Sequence, residues 1–156
     1  MSATSAAIVQ LADAVTAQIN AAALSQQVTA QRTYQFERKK EECSQLLVDV
    51  LPRQVKTQLA ARIFEEGDYG ISIVVSQQCN IAETAKLDGL LLFVEDIRIA
   101  LASNRRPPAL QMASLQAIEM PAVLFPDRLR NEGLFRALVV ATYRIYDSEL
   151  AAARAG

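Results

Sequence analysis

The chain has 156 residues, is 51% hydrophobic and carries a formal charge of -1, with 16 basic residues against 17 acidic ones. That apolar content excludes a disordered chain, and the near-neutral balance gives no sign of a surface built for polyanions. The sequence has no histidine, which removes Ser-His-Asp and Cys-His catalysis and most zinc sites.

A chain of this size buries roughly 68–70% of its unfolded surface, enough to need neither disulfide nor metal. It is read as one domain over residues 1–156, with an ordered core at about 5–147 and a frayed tail from 148. Cys43 and Cys79 are far apart and form no metal spacing. They are expected to be buried, reduced thiols, although a disulfide between them depends on a Cα separation that sequence does not give. No basic stretch followed by an apolar one marks a signal peptide, and no apolar run reaches the roughly 20 residues of a membrane span.

Thr4 or Ser5 can cap a first helix, in which Ile8, Leu11, Val15 and Ile19 form one apolar stripe ending near Leu24. Residues 28–36 then alternate with period two, Val28, Ala30, Tyr34 and Phe36 on one side, which predicts a half-exposed strand. Residues 37–42 read as a charged turn or short helical segment. A second strand covers 45–51, with Leu46, Val48 and Val50 inward and Pro52 as its stop. Residues 53–69 read as a long connection with a helical turn or an extended excursion, and 70–76 as a short β-branched strand.

Asn80 and Glu83 have the spacing of a helix start. The helix runs to about Ser103, with Leu87, Leu90, Leu91, Val94, Ile97 and Leu101 in a stripe, and Leu92, Phe93 and Ile99 widening it. Strands are expected at 110–120 and 135–146, separated by a long loop over 121–134. The fold class is therefore α+β: a mixed, mainly antiparallel sheet of about five strands, in the order α-β-β-β-α-β-β.

No glycine pattern forms a phosphate-binding loop. The pairs Glu41-Glu42, Glu65-Glu66 and Glu95-Asp96 are adjacent, so their side chains do not share a face. The clusters Arg38-Lys39-Lys40 and Arg105-Arg106 read as a solvated turn and a favourable helix C-terminus, the alternative being contact with an acidic partner or nucleic acid. Arg136 and Arg144 read as a solvated strand face or as intersubunit ion pairs. No catalytic residue, metal ligand or cofactor site is assigned, and the chain is read as a non-enzyme.

Several stretches carry a resemblance. An alanine-rich helix, Ile8-Val9-Gln10-Leu11-Ala12-Asp13-Ala14-Val15, leads to Val28-Thr29-Ala30-Gln31-Arg32-Thr33-Tyr34. Val48-Asp49-Val50-Leu51-Pro52-Arg53 is followed by a charged excursion and Tyr69-Gly70-Ile71-Ser72-Ile73-Val74-Val75. A long helix surrounds Leu91-Leu92-Phe93-Val94-Glu95-Asp96-Ile97, and the last strand holds Ala141-Thr142-Tyr143-Arg144. In these the chain resembles the tail terminator proteins of long-tailed bacteriophages, ring proteins at the head-proximal end of a tail tube.

The resemblance implies two helices on one sheet face and six copies in a ring between the tail tube and the head-side connector. It implies a place in the virion neck after assembly in the host cytoplasm, DNA only as passing cargo, no membrane and no cofactor. Alternatives are a stopper or tube-like connector component, a small carboxylate enzyme, or a ligand-binding module. Long connections are often functional. The candidate interface is therefore Arg53, Lys56, Arg62, Phe64, Glu65, Glu66 and Asp68 in the first, Phe125, Asp127, Arg128 and Arg130 in the second, and Arg136 and Arg144 on the last strand.

Overall fold

The structure is a computed structural model and describes residues 5–58 and 66–155. Helix α1 (Ala7–Ala21) buries Leu11, Val15 and Ile19, as its stripe predicts. It begins without a side-chain cap: Ala6 is the N-cap, and Ser5 supplies only a backbone carbonyl, which accepts from Gln10 Nε2 at 2.8 Å. Thr4 lies outside the described residues. The helix stops three residues before Leu24 because Ala22 is already extended. Asn20 then holds the returning chain, donating to the Ala30 carbonyl and accepting from its amide at 3.1 and 2.7 Å.

Only two residues of the 28–36 alternation join the ladder, as β1 (Gln31–Arg32), parallel to Asp49 and Val50. Ala30 is buried, but Tyr34 is 70% exposed. Beyond Arg32 the chain leaves the sheet edge as an extended strap, followed by a short 3-10 turn (Lys40–Cys43). Side-chain bonds, which period-two patterning does not encode, hold the strap.

Strand β2 (Leu47–Gln58) continues through Pro52, contrary to the expected stop. The register with β3 shifts between Pro52 and Gln54. β1 reaches only as far as Val50, so among the described residues no strand on the outer side needs an amide from Pro52. The part of the 53–69 connection that is described is thus a long hairpin, completed by β3 (Glu66–Gln78).

Asn80 and Glu83 make the expected side-chain bonds, Glu83 Oε1 accepting from the Asn80 amide and Asn80 Oδ1 from that of Ala82, each at 3.0 Å. They shape a turn ahead of α2 (Thr84–Ser103), however, whose N-cap is Glu83 and not Asn80 and has no side-chain cap. After β4 (Ser114–Ala122), the expected loop contains α3 (Pro126–Glu132). Pro126 suits the first helical position, and Gly133, at φ 64°, closes the helix left-handed with its N–H on the last turn. β5 (Leu134–Tyr146) follows, and the tail expected to fray is α4 (Asp147–Ala155).

The sheet order is β1-β2-β3-β5-β4, parallel at β1–β2 and antiparallel elsewhere. The fold class is the α+β arrangement that the patterning predicts. The main core joins Val48, Val50, Ile71, Ile73, Val139 and Tyr143 of one sheet face to Leu11 and Val15 of α1 and Phe93 and Ile97 of α2. The opposite face holds a smaller cluster, Leu51, Val74, Leu138 and Val140, with Phe125 against it. The two long central strands are therefore buried on both sides, which explains why β5 is apolar at alternate and intervening positions alike. Cys43 and Cys79 are buried free thiols, and burial raises the pKa of each.

Candidate assembly surfaces

The strap and the second sheet face are joined by arginines. Arg38 Nε and Nη2 donate to Asp49 Oδ2 and Oδ1, both at 2.9 Å, and the Asp49 side chain is fully buried. Gln31 Nε2 donates to the same carboxylate at 3.2 Å. The hydrogen bond to Asp49, more than any other contact, raises the Arg38 pKa well above its usual value. Arg38 is therefore a structural residue and not a solvated one.

Arg136, read as solvated or intersubunit, is only 3% exposed. Its guanidinium lies 4.3 Å from the Phe36 ring and 5.2 Å from that of Phe125, a cation held between two aromatic faces. Nη2 donates to the Phe36 carbonyl at 2.9 Å and Nη1 to Glu37 Oε1 at 3.1 Å. Arg128 on α3 reaches the same Glu37 oxygen at 3.2 Å and Glu132 at 2.9 Å. Phe125, Arg128 and Arg136 thus converge on the strap, while Asp127 and Arg130 remain exposed on α3.

Arg144 is likewise paired within its own chain. It lies opposite Asp68 in the β3–β5 register and donates to it at 3.0 Å, with Glu66 at 3.3 Å. The Asp68 hydrogen bond is the main cause of a raised Arg144 pKa. Both strand arginines thus have partners within their own chain. By contrast, Arg53 and Lys56 are exposed on the hairpin with Val55 between them, and Arg53 Nη1 touches Ser72 Oγ at 3.3 Å. Arg62, Phe64 and Glu65 lie outside the described residues.

A third surface escaped the sequence reading. α1 and α2 run antiparallel and leave a groove of about 620 Å³, walled by Ala14, Ala17, Ala21 and Ala23 on one side and by Ile99 and Ala100 on the other. Gln18 sits in it, donating to the Asn104 carbonyl at 3.0 Å, and its Oε1 is buried with no hydrogen-bond partner. The signal was present as surplus alanine beside the α1 stripe and as Ile99 beyond the α2 stripe, which is 47% exposed.

Of the adjacent acidic pairs, three further described carboxylates are engaged locally. Glu42 is taken by Arg38, Glu95 by Arg98, and Asp96 Oδ2 accepts from the Ser25 amide. Among the described residues no group of three or more His, Cys, Asp or Glu side chains could hold a metal ion, and no helix is long and apolar enough to cross a membrane.

No protein-family model matches the chain, and no curated protein matches its sequence. Among solved structures, the fold is similar to that of the sheath/tube terminator, in the extended state, of an extracellular contractile injection system, PVC. The likeness covers 92% of this chain and 57% of the other, at 13% identity and a TM-score of 0.50. The chain spans little more than half the length of that neighbour, and the likeness is one of fold.

Proposed function

We propose that this protein is a tail-terminator-type structural component: a single domain that assembles, six copies to a ring, on the end of a tail tube and stops its growth. The observation that carries this is the fold likeness, which runs through 92% of the chain and leads to a sheath/tube terminator. The local sequence signatures support the same reading independently. So does the chemistry of the surface, since the ion-paired arginines and carboxylates of the strap and of β3–β5 bind one another and leave no converging acid–base pair between them. The partners in this reading are further copies of the chain, the tube protein and a head-side connector, with DNA passing through the ring and no cofactor.

Within this reading the hairpin, carrying Arg53 and Lys56, and the exposed face of α3, carrying Asp127 and Arg130, meet the neighbours. Phe125, Arg128, Arg136, Glu66, Asp68 and Arg144 shape those surfaces from within. A second reading rests on the setting of the structural neighbour, an extracellular injection system. The chain would then end the tube of a contractile injection machine, with no genome to pass. Purified protein mixed with tail tubes and imaged by negative stain tests the proposal, with capped tubes of limited length as the expected result. Nuclease-protected DNA inside the tubes separates the phage setting from the injection one.

A further inference from the structure

The alanine-walled groove and α4 are complementary in length, surface and charge. We infer that the groove between α1 and α2 receives α4 of a second copy of this chain, making a head-to-tail contact between neighbours. This deepens the ring reading and rests on it for the presence of adjacent copies.

Length comes first. α4 has nine residues, about 14 Å of helix, and the groove follows α2 from Asp96 to Asn104, about 12 Å. Surface comes second. α4 has no fully buried residue; Leu150 packs partly buried against its own core, and Ala151, Ala152, Ala153 and Ala155 are all exposed. Small residues on both partners let helices approach closely, whereas a groove walled by large side chains would hold them apart.

Charge fixes the direction. Asp96 stands at one end of the groove, and the exposed Arg105 and Arg106 follow Asn104 at the other. α4 begins with Asp147 and Glu149 and ends with Arg154. Asp147 and Arg154 are about 10 Å apart along the helix, close to the spacing of the groove's own charges. Seating α4 antiparallel to α2 puts Arg154 at Asp96 and the acidic turn at Arg105, and opposes the two helix dipoles. Because groove and helix are different surfaces, the contact is heterologous and propagates to a ring when its rotation closes.

The test pairs two variants. Ala17→Phe fills the groove and keeps α4; Arg154→Glu keeps the groove and reverses the end of α4. Both positions are exposed, so melting temperatures should hold. In sedimentation equilibrium each variant alone should self-associate at least about tenfold more weakly than wild type. An equimolar mixture should recover dimers, since one chain supplies a sound helix and the other a sound groove. If Ala17→Phe does not fold, Arg105→Glu and Glu149→Arg replace it: each alone weakens association and the double variant restores it. Variants that associate like wild type, folded mixtures that stay monomeric, or a wild type monomeric at its highest soluble concentration overturn the inference. Tube capping by chains whose association is unchanged by these substitutions would leave the ring reading standing and remove only this contact.

Discussion

Arg38 holds Asp49 by two parallel hydrogen bonds of 2.9 Å, and that carboxylate is fully buried between the strap and β2. A charge so placed is stable only while its partner remains. Arg38→Ala is expected to cost about 3 kcal/mol of unfolding free energy, measured by urea titration with an unchanged m-value. The double variant Arg38→Met with Asp49→Leu should recover most of the loss, because no ion is then left unpaired in the interior.

Arg136 is expected to resist its conservative replacement. A lysine cannot lie flat between Phe36 and Phe125 while bonding both the Phe36 carbonyl and Glu37. Arg136→Lys should cost about 2 kcal/mol and speed amide exchange in residues 34–38, which hydrogen-exchange mass spectrometry reads directly.

Tyr143 has its hydroxyl buried in the main core with no hydrogen-bond partner. Burial pushes its pKa well above the ordinary value of about 10. The unfolded chain therefore releases this proton first as pH rises, so the tyrosine's contribution is intact below about pH 10 and is lost above it. Tyr143→Phe should stabilise the fold by about 1 kcal/mol at neutral pH, by removing an unsatisfied polar group. It should also flatten the alkaline limb of the stability curve, with denaturant midpoints at a series of pH values as the measurement.

Gly133 closes α3 at φ 64°, a conformation that costs any residue bearing a Cβ. Gly133→Ala should lower stability by about 1 kcal/mol in thermal unfolding, whereas Gly89→Ala, where a Cβ inside α2 would meet only the Gln26 side chain at an ordinary 3.9 Å, should not lower it.

What could be read from the sequence followed the reach of its signals. The α2 stripe and the β5 alternation are local, and Leu90, Val94, Ile97 and Leu101, with Val139 and Tyr143, are buried as those periods require. The Asn80–Glu83 spacing is local too, and both side-chain bonds form. The strap was misread as a strand because its order comes from partners far along the chain: Arg136 and Glu37 are 99 positions apart. A hint lay in Asp49 between Val48 and Val50, a carboxylate in mid-strand that needs a cation, and another in Arg136 within an apolar run. Pro52 misled because a proline ends a strand only where its missing N–H is needed, and the open edge of β2 does not need it.

For the hairpin, Arg53→Glu with Lys56→Glu should leave stability within about 0.5 kcal/mol, since both side chains are exposed. In the proposed reading the same double variant loses tube binding by at least about tenfold in a pelleting assay.

The central claim, that this chain closes the end of a tube, is tested most directly by adding purified protein to polymerising tube protein and measuring tube length by electron microscopy. The account predicts rings of this protein at one end of each tube and growth that stops when they bind. Tubes that lengthen unchanged in the presence of folded protein, with no density added at either end, would contradict it.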